Sequence, residues 1–253
     1  MTETGQRKIA VIGGGAAGMM AAGTAGALGA AVTLYEHTDR LGKKLAITGK
    51  GRCNVTNACT AAEFLANVPH NPRFLYAALS AFSPEDTVAH FERLGVKLKV
   101  ERGNRVFPES DRARDIVLAM TEYAGGAKKR FENVRAVHPR EDGTFTVTAT
   151  GEEIYDAVIL ATGGRSYPLT GSDGSGYRIA RKLGHTVTPL SPSLVPLESP
   201  DPLCAELQGL SLKNVGIRIT DGGRTVYEDF GEMLFTHFGV SGPTVLSASS
   251  HLV

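Results

Sequence analysis

The sequence predicts an α/β protein: a parallel-sheet domain first, then the start of a mainly-β domain. Three observations carry that prediction. A short apolar run, Lys8–Ile12, enters a glycine-rich turn, a helix of small residues and a second apolar run. Two alternating segments later lead into a third buried run that ends Ala161-Thr162-Gly163-Gly164. A proline-rich stretch, 189–202, separates all of this from a hairpin pattern. A chain of 253 residues suffices for one large or two ordinary domains.

The first unit is the most specific. Lys8–Ile12 has the unbroken apolar character of a strand buried on both faces. Gly13-Gly14-Gly15-Ala16-Ala17-Gly18 then fits G-x-G-x-x-G, the helix runs over 19–28, and the strand 31–35 ends at Glu36. Each part suits a dinucleotide. Gly13 permits the tight turn, Gly15 lets backbone approach a pyrophosphate, and Gly18 clears the helix–strand contact. Ala16 and Ala17 lie in the turn as further cofactor-binding candidates, and the N–H groups and dipole at the helix start favour the phosphates. Glu36 offers a carboxylate to ribose hydroxyls. The stretch from Ile9 to Tyr35 carries no charge over 27 residues, but seven Gly and nine Ala make it a poor membrane span.

Residues 39–57, DRLGKKLAITGKGRCNVTN, form a second glycine-rich and basic segment. Gly42, Gly49 and Gly51 are each followed by Lys or Arg, so the loop can bring amides and cations to an anionic ligand. A plain solvated loop is the alternative. Farther on, Val134–Val137 and Phe145–Ala149 form a β-meander that leads into Tyr155–Leu160 and the A-T-G-G turn. That arrangement is the second nucleotide-facing element of glutathione-reductase-type flavoproteins, and it favours FAD over NAD.

The segments GGGAAG (13–18), DRLGKKLAITGKGRCNVTN (39–57), ATGGRSYPLTGSDGSGY (161–177) and GEMLFTHFGVSGPTVL (231–246) together resemble a family of bacterial flavoproteins. These are the NAD(P)/FAD-dependent, aminoacetone-oxidase-like oxidoreductases. The resemblance implies a Rossmann-type FAD-binding domain interrupted by an inserted, largely β domain. It implies that Gly13, Gly15, Gly18 and Glu36 bind the ADP half. Gly42, Lys43, Lys44, Thr48, Gly49, Gly51, Arg52, Cys53 and Asn54 would follow the pyrophosphate and flavin. Val134 would offer backbone to adenine, with Ala161, Thr162, Gly163 and Gly164 beside the cofactor. Two departures stand out. Gly171–Tyr177 reads GSDGSGY, with its acid moved forward from the family's GSTGDGY. The family's late strand, followed by a Gly-Asp or Gly-Glu pair, has no counterpart after Gly164. The FAD domain is therefore expected to close beyond Val253, with the chain stopping in mid-helix. The domains expected are 1–190 for FAD and 191–253 for the start of the inserted one.

Elsewhere, helices are expected at 61–68, 72–81, 84–94, 111–123 and 176–183, with a two-stranded piece at 96–108. Strands at 212–220 and 225–229 flank the turn 220–223. Three candidates carry chemistry. Arg52 is a cation for flavin N1/C2=O, or a pyrophosphate or ion-pair residue. Cys53 is a redox group or a packing residue. His237 is a proton donor or a turn-holding residue. Tyr167 and Tyr177 stack on flavin or pack.

Composition limits the rest. Lys+Arg 27 against Asp+Glu 26 gives no footprint for nucleic acid or an anionic membrane. Three cysteines make neither a disulfide framework nor a metal site. The 30 glycines exceed the usual share of about 7%. The expectation is a cytoplasmic FAD-dependent oxidoreductase for a small-molecule substrate, with NAD(P)H as a candidate donor. Its alternatives are a non-catalytic flavin-binding or redox-sensing module, and a truncated form unable to hold FAD.

Overall fold

The computed structural model describes residues 5–252. The chain divides into two compact units, residues 1–66 with 73–187, and 67–72 with 188–253.

The first unit is built on β1 (Lys8–Ile12), α1 (Ala16–Ala27) and β2 (Ala31–Tyr35). Both strands pair in parallel, as right-handed crossover through a helix requires. A long loop follows, including a distorted turn, α2 (Thr48–Gly51), where Gly49 and Lys50 are left-handed. Then come β3 (Thr56–Asn57), α3 (Ala61–Ala66), α4 (Tyr76–Ala81) and α5 (Pro84–Arg93). The helix expected over 72–81 is split, its first turn being a 3-10 turn at Pro72–Leu75. Ser83 starts α5 through a reciprocal capping box with Asp86. Next are β4 (Leu98–Glu101) and β5 (Arg105–Pro108), which with β3 make a small sheet in the order β3-β5-β4. The unit continues with α6 (Ala113–Tyr123), β6 (Lys128–Arg130), β7 (Ala136–Pro139), β8 (Phe145–Thr148), β9 (Glu152–Tyr155), β10 (Ala157–Leu160) and α7 (Ser175–Lys182).

The parallel sheet has the order β10-β1-β2-β6, and the meander β7-β8-β9 is a separate antiparallel sheet. Alternate side chains of β1 enter two different cores. Val11 packs with Met19, Ala22, Leu34, Ile116 and Met120, whereas Ala10 and Ile12 join the cluster of Tyr35, Val137, Val147 and Tyr155. Burial on both faces explains the unbroken apolar run. Helices α1 and α6 approach closely because Gly23 faces the Tyr123 ring, where a Cβ would collide.

Two strand readings are corrected. Tyr155–Leu160 is not one strand: β9 ends in the meander, and β10 pairs with β1. Asp156 makes the switch, its N–H donating to the Lys8 carbonyl and its carboxylate accepting from the Lys8 N–H at 2.7 Å. Strand β6 was not expected. It is an edge strand of three cations, so burial left no apolar pattern to read.

The second unit contains β11 (Leu197–Glu198), α8 (Pro202–Glu206), β12 (Ser211–Asp221), β13 (Arg224–Thr236), β14 (Gly239–Ser241) and α9 (Pro243–Ser249). Its sheet has the order β11-β14-β13-β12. Gly222 and Gly223, both at positive φ, make the two-residue turn between β12 and β13. Strand β13 runs well past the expected Asp229. Thr244 ties α9 to this strand by donating to the Glu232 carbonyl at 2.6 Å. Helix α9 closes at Ser249, with Ser250 as its C-cap, so residues 251–252 lie outside it. Val253 lies outside the described residues. No helix among the described residues is long and apolar enough to cross a membrane.

Candidate functional site

A cleft of about 650 Å³ opens within the first unit at the C-terminal ends of β1, β2 and β10. That is where open α/β sheets bind ligands. It is lined by the β1–α1 turn, the end of β2, residues 43–48, residues 132–134, the end of β10, and residues 170–180. Its volume lies in the range of small-molecule and cofactor sites.

The three glycines of the turn have different surroundings. Gly13 has φ 112, and a Cβ there would collide with the Ala161 carbonyl. At Gly18 a Cβ would collide with the Gly13 carbonyl. At Gly15, which caps α1 without a side-chain hydrogen bond, a Cβ would meet nothing within 4 Å. The first two glycines close the protein on itself, and the third faces open cleft beside unpaired helix N–H groups. Ala16 and Ala17 line the cleft there.

Glu36 also lines the cleft, and its carboxylate organises the loop around it. One oxygen accepts from the Gly14 N–H at 2.8 Å and the other from the Thr38 N–H at 2.7 Å. A lone pair remains on each oxygen. Gly42 anchors the second loop by donating to the Gly14 carbonyl at 2.9 Å. Lys43, Lys44 and Thr48 reach the cleft from that loop. Lys43 pairs with Asp39 at 3.0 Å. Lys44 donates to the Ser166 hydroxyl at 3.2 Å, and burial holds its ammonium below the usual lysine range. Val134, Ala161, Thr162 and Gly163 complete the expected residues in the cleft.

Residues 7–245 match the HI0933-like protein Rossmann domain. The chain belongs to this family. The chain is 36% identical over 251 residues to the 3-dehydro-bile acid delta(4,6)-reductase of Clostridium scindens, covering 97% of this chain and 60% of that one. It is 34% identical over 245 residues to the ribosomal RNA dihydrouridine synthase of Escherichia coli, covering 95% and 60%. The chain therefore spans about 60% of the length of these relatives. Two solved structures share the fold at low identity. A flavocytochrome c3 fumarate reductase aligns with TM-score 0.57 at 18% identity, covering 83% of this chain and 47% of that one. The 3-ketosteroid-delta4-(5alpha)-dehydrogenase of Rhodococcus jostii RHA1 aligns with TM-score 0.53 at 16% identity, covering 84% and 61%. The HI0933-like chain thus has the Rossmann-type α/β architecture expected from its motifs.

Several expected site residues of this HI0933-like chain lie outside the cleft lining. Gly18, Gly42 and Gly164 shape its walls from behind; Gly164 sits against the Tyr177 hydroxyl. Gly49 and Gly51 belong to the distorted turn that Thr48 begins, and Asn54 follows it. Gly49 and Gly51 are left-handed, and the Asn54 side chain, turned so that its nitrogen donates, meets the carbonyls of Val106 and Thr56 at 3.2 and 3.0 Å. Arg52 takes the ion-pair reading. Its guanidinium pairs with Glu101 and Asp111, lies 4.2 Å from the centre of the Phe107 ring, and is no part of the lining. Glu101 and Asp111 hold it further toward the charged form. Cys53 takes the packing reading: it is 1% exposed within the core, and burial pushes its thiol up, away from a reactive thiolate. His237 lies in the second unit, in the turn between β13 and β14, its ring 5.0 Å from that of Phe238.

Residues 170–180, the loop before α7 and the first turns of that helix, contribute more to the cleft than the motif reading assigns. Thr170, Gly171, Ser172, Ser175, Gly176 and Tyr177 all line the cleft, and Tyr167 is exposed. The signal was the small-residue string GSDGSGY itself. Its displaced acid, Asp173, accepts from the Ser175 N–H at 2.8 Å just before α7, and hydrogen bonding from the Ser175 side chain first, then from that N–H, lowers its pKa. Gly176 lets α7 reach Thr162, where a Cβ would collide with the threonine hydroxyl.

Proposed function

We propose that this chain holds FAD in the cleft and forms the cofactor-binding part of an FAD-dependent oxidoreductase acting on a small organic substrate. The observation that carries the reading is Gly15: open space at the uncapped start of α1, between two glycines that are sterically closed. The residues fit the group. The first turn of α1 offers N–H groups and a positive dipole end to a diphosphate. The free lone pairs of Glu36 accept from ribose hydroxyls, and the backbone at Val134 meets the adenine edge. Lys44 adds the one cleft-lining lysine with no carboxylate within ion-pair distance among the described residues. Thr48, Thr162 and Gly163 supply polar contacts toward the flavin. When bound, FAD supplies reversible hydride chemistry that no side chain here provides. NAD(P)H is the proposed donor.

The relatives' names narrow the substrate class. A delta(4,6)-reductase of a 3-dehydro-bile acid and a dihydrouridine synthase both describe saturation of a ring carbon–carbon double bond. We infer the same class here: a hydride and a proton added across a double bond conjugated to a carbonyl. A second reading, uridine within RNA as the acceptor, rests on the names of the Escherichia coli and Haemophilus influenzae relatives.

The test is anaerobic. The FAD-loaded chain is reduced by NADH or NADPH and then mixed with a 3-keto-4,6-diene steroid or with a uridine-containing RNA. Bleaching by the nucleotide and recovery of flavin colour with one acceptor is the expected result. Bleaching without recovery by either acceptor rejects the substrate class. No bleaching by either nucleotide supports a flavin-binding module instead.

A further inference from the structure

Beside the Val134 end of the cleft lies a second concavity of about 60 Å³, lined by Val134, Arg135, Ser175, Arg178, Ile179 and Lys182. Half of these residues are cations. Arg178 and Lys182 stand four apart on α7, a spacing at which like charges repel across one helix face. Arg135 brings a third charge from the segment before β7, steadied by donating to the Ala149 carbonyl. Among the described residues, none of the three has a carboxylate within ion-pair distance, whereas Arg52, Lys99, Arg130 and Arg140 each do. The nearby acids are committed elsewhere. Glu132 faces Arg130 and accepts from the Thr150 N–H, and Asp173 accepts from the Ser175 N–H. The fold thus gathers three like charges around one hollow and leaves them without a counter-charge.

We propose that Arg135, Arg178 and Lys182 bind a phosphate group, carried by a ligand other than the one in the main cleft. The hollow has room for one phosphate and not for a nucleoside, so the rest of that ligand lies over the exposed surface of α7. Two guanidinium groups can each grip phosphate oxygens in pairs, and the lysine adds a point charge. The helix start is not the binder here, because its Ser175 N–H already serves Asp173. A free phosphorylated metabolite and the phosphodiester of a nucleic-acid strand present the same chemistry.

The test measures equilibrium binding of two probes, inorganic phosphate and a short fluorescent single-stranded RNA, to the whole chain. The wild type is compared with an Arg178→Gln/Lys182→Gln double variant, with melting temperature as the check on folding. Binding of either probe that weakens about tenfold or more in the variant supports the site. For RNA, the dependence of log affinity on log salt should also flatten by about 1–2 units. Preference for RNA over phosphate assigns the strand as the source, and preference for phosphate assigns a small ligand. Failure of both probes to bind the wild type, or equal affinity for the folded variant, overturns the proposal. If the variant does not fold, Arg135→Gln alone repeats the comparison from outside the helix.

Discussion

Gly13, Gly15 and Gly18 look alike in the motif and differ in what surrounds them. An added methyl at Gly18 must displace the Gly13 carbonyl, and one at Gly13 must displace the Ala161 carbonyl from a left-handed backbone. Gly18→Ala is expected to cost roughly 1–3 kcal/mol, as overpacking at a rigid contact does. Gly15→Ala meets open space and should leave the denaturation midpoint nearly unchanged. Urea melts of the two variants check this; equal losses would contradict the division between closing and cradling glycines. Residue identity also misled in places. A cation within a glycine-rich loop reads as a ligand group, yet Arg52 is taken by Glu101 and Asp111 from segments 49 and 59 residues away. No local pattern announces such partners.

At the scale of elements, helix α5 holds a histidine whose cost is legible only in three dimensions. His90 is 6% exposed, edge-on to Phe82, Phe91 and Tyr123, with its Nε2 unpartnered. Burial first, and then the Arg93 charge, lower its pKa. The native state therefore binds this proton less readily than the unfolded chain. The stability tied to neutral His90 is complete above the ordinary histidine value near 6.5 and declines as pH falls below it, toward the lowered folded value. His90→Phe should flatten that decline below about pH 6.5. Stability curves at several pH values decide it, and parallel curves for the two proteins would contradict the account.

Element order was otherwise well marked in the sequence. Lys8–Ile12, the glycine turn and Ala31–Tyr35 were readable because a strand buried on both faces leaves an unbroken apolar run. Strand β6 was hidden because its three residues are Lys-Lys-Arg at an edge. The break at Asp156 was hidden because one apolar run serves two sheets, and only the Lys8 backbone contact shows where it divides. The contribution of 170–180 to the cleft was underestimated for a similar reason. Small residues mark close approach without showing what they approach: Thr162, just after β10, and the His37–Thr38 turn, which is distant in sequence.

For the whole molecule, the near-balance of 27 cations and 26 acids concealed a local excess. Arg135 and α7 are far apart in sequence and adjacent in the fold. Both clusters of buried apolar side chains among the described residues belong to the first unit, the one that carries the cleft. A rigid sheet thus presents strand ends, one uncapped helix start and a carboxylate to the same volume. That preorganisation is the core of the functional reading.

The most direct measurement is a fluorescence titration of FAD into the purified chain, wild type against Gly15→Val. The valine meets no protein atom at its Cβ, so the variant is expected to fold. The account predicts saturable one-to-one binding by the wild type. It predicts a loss of about a hundredfold or more, some 2.7 kcal/mol, when valine fills the space meant for the diphosphate. A wild-type chain that does not bind FAD, or a folded valine variant that binds it equally well, would contradict the cleft as its site.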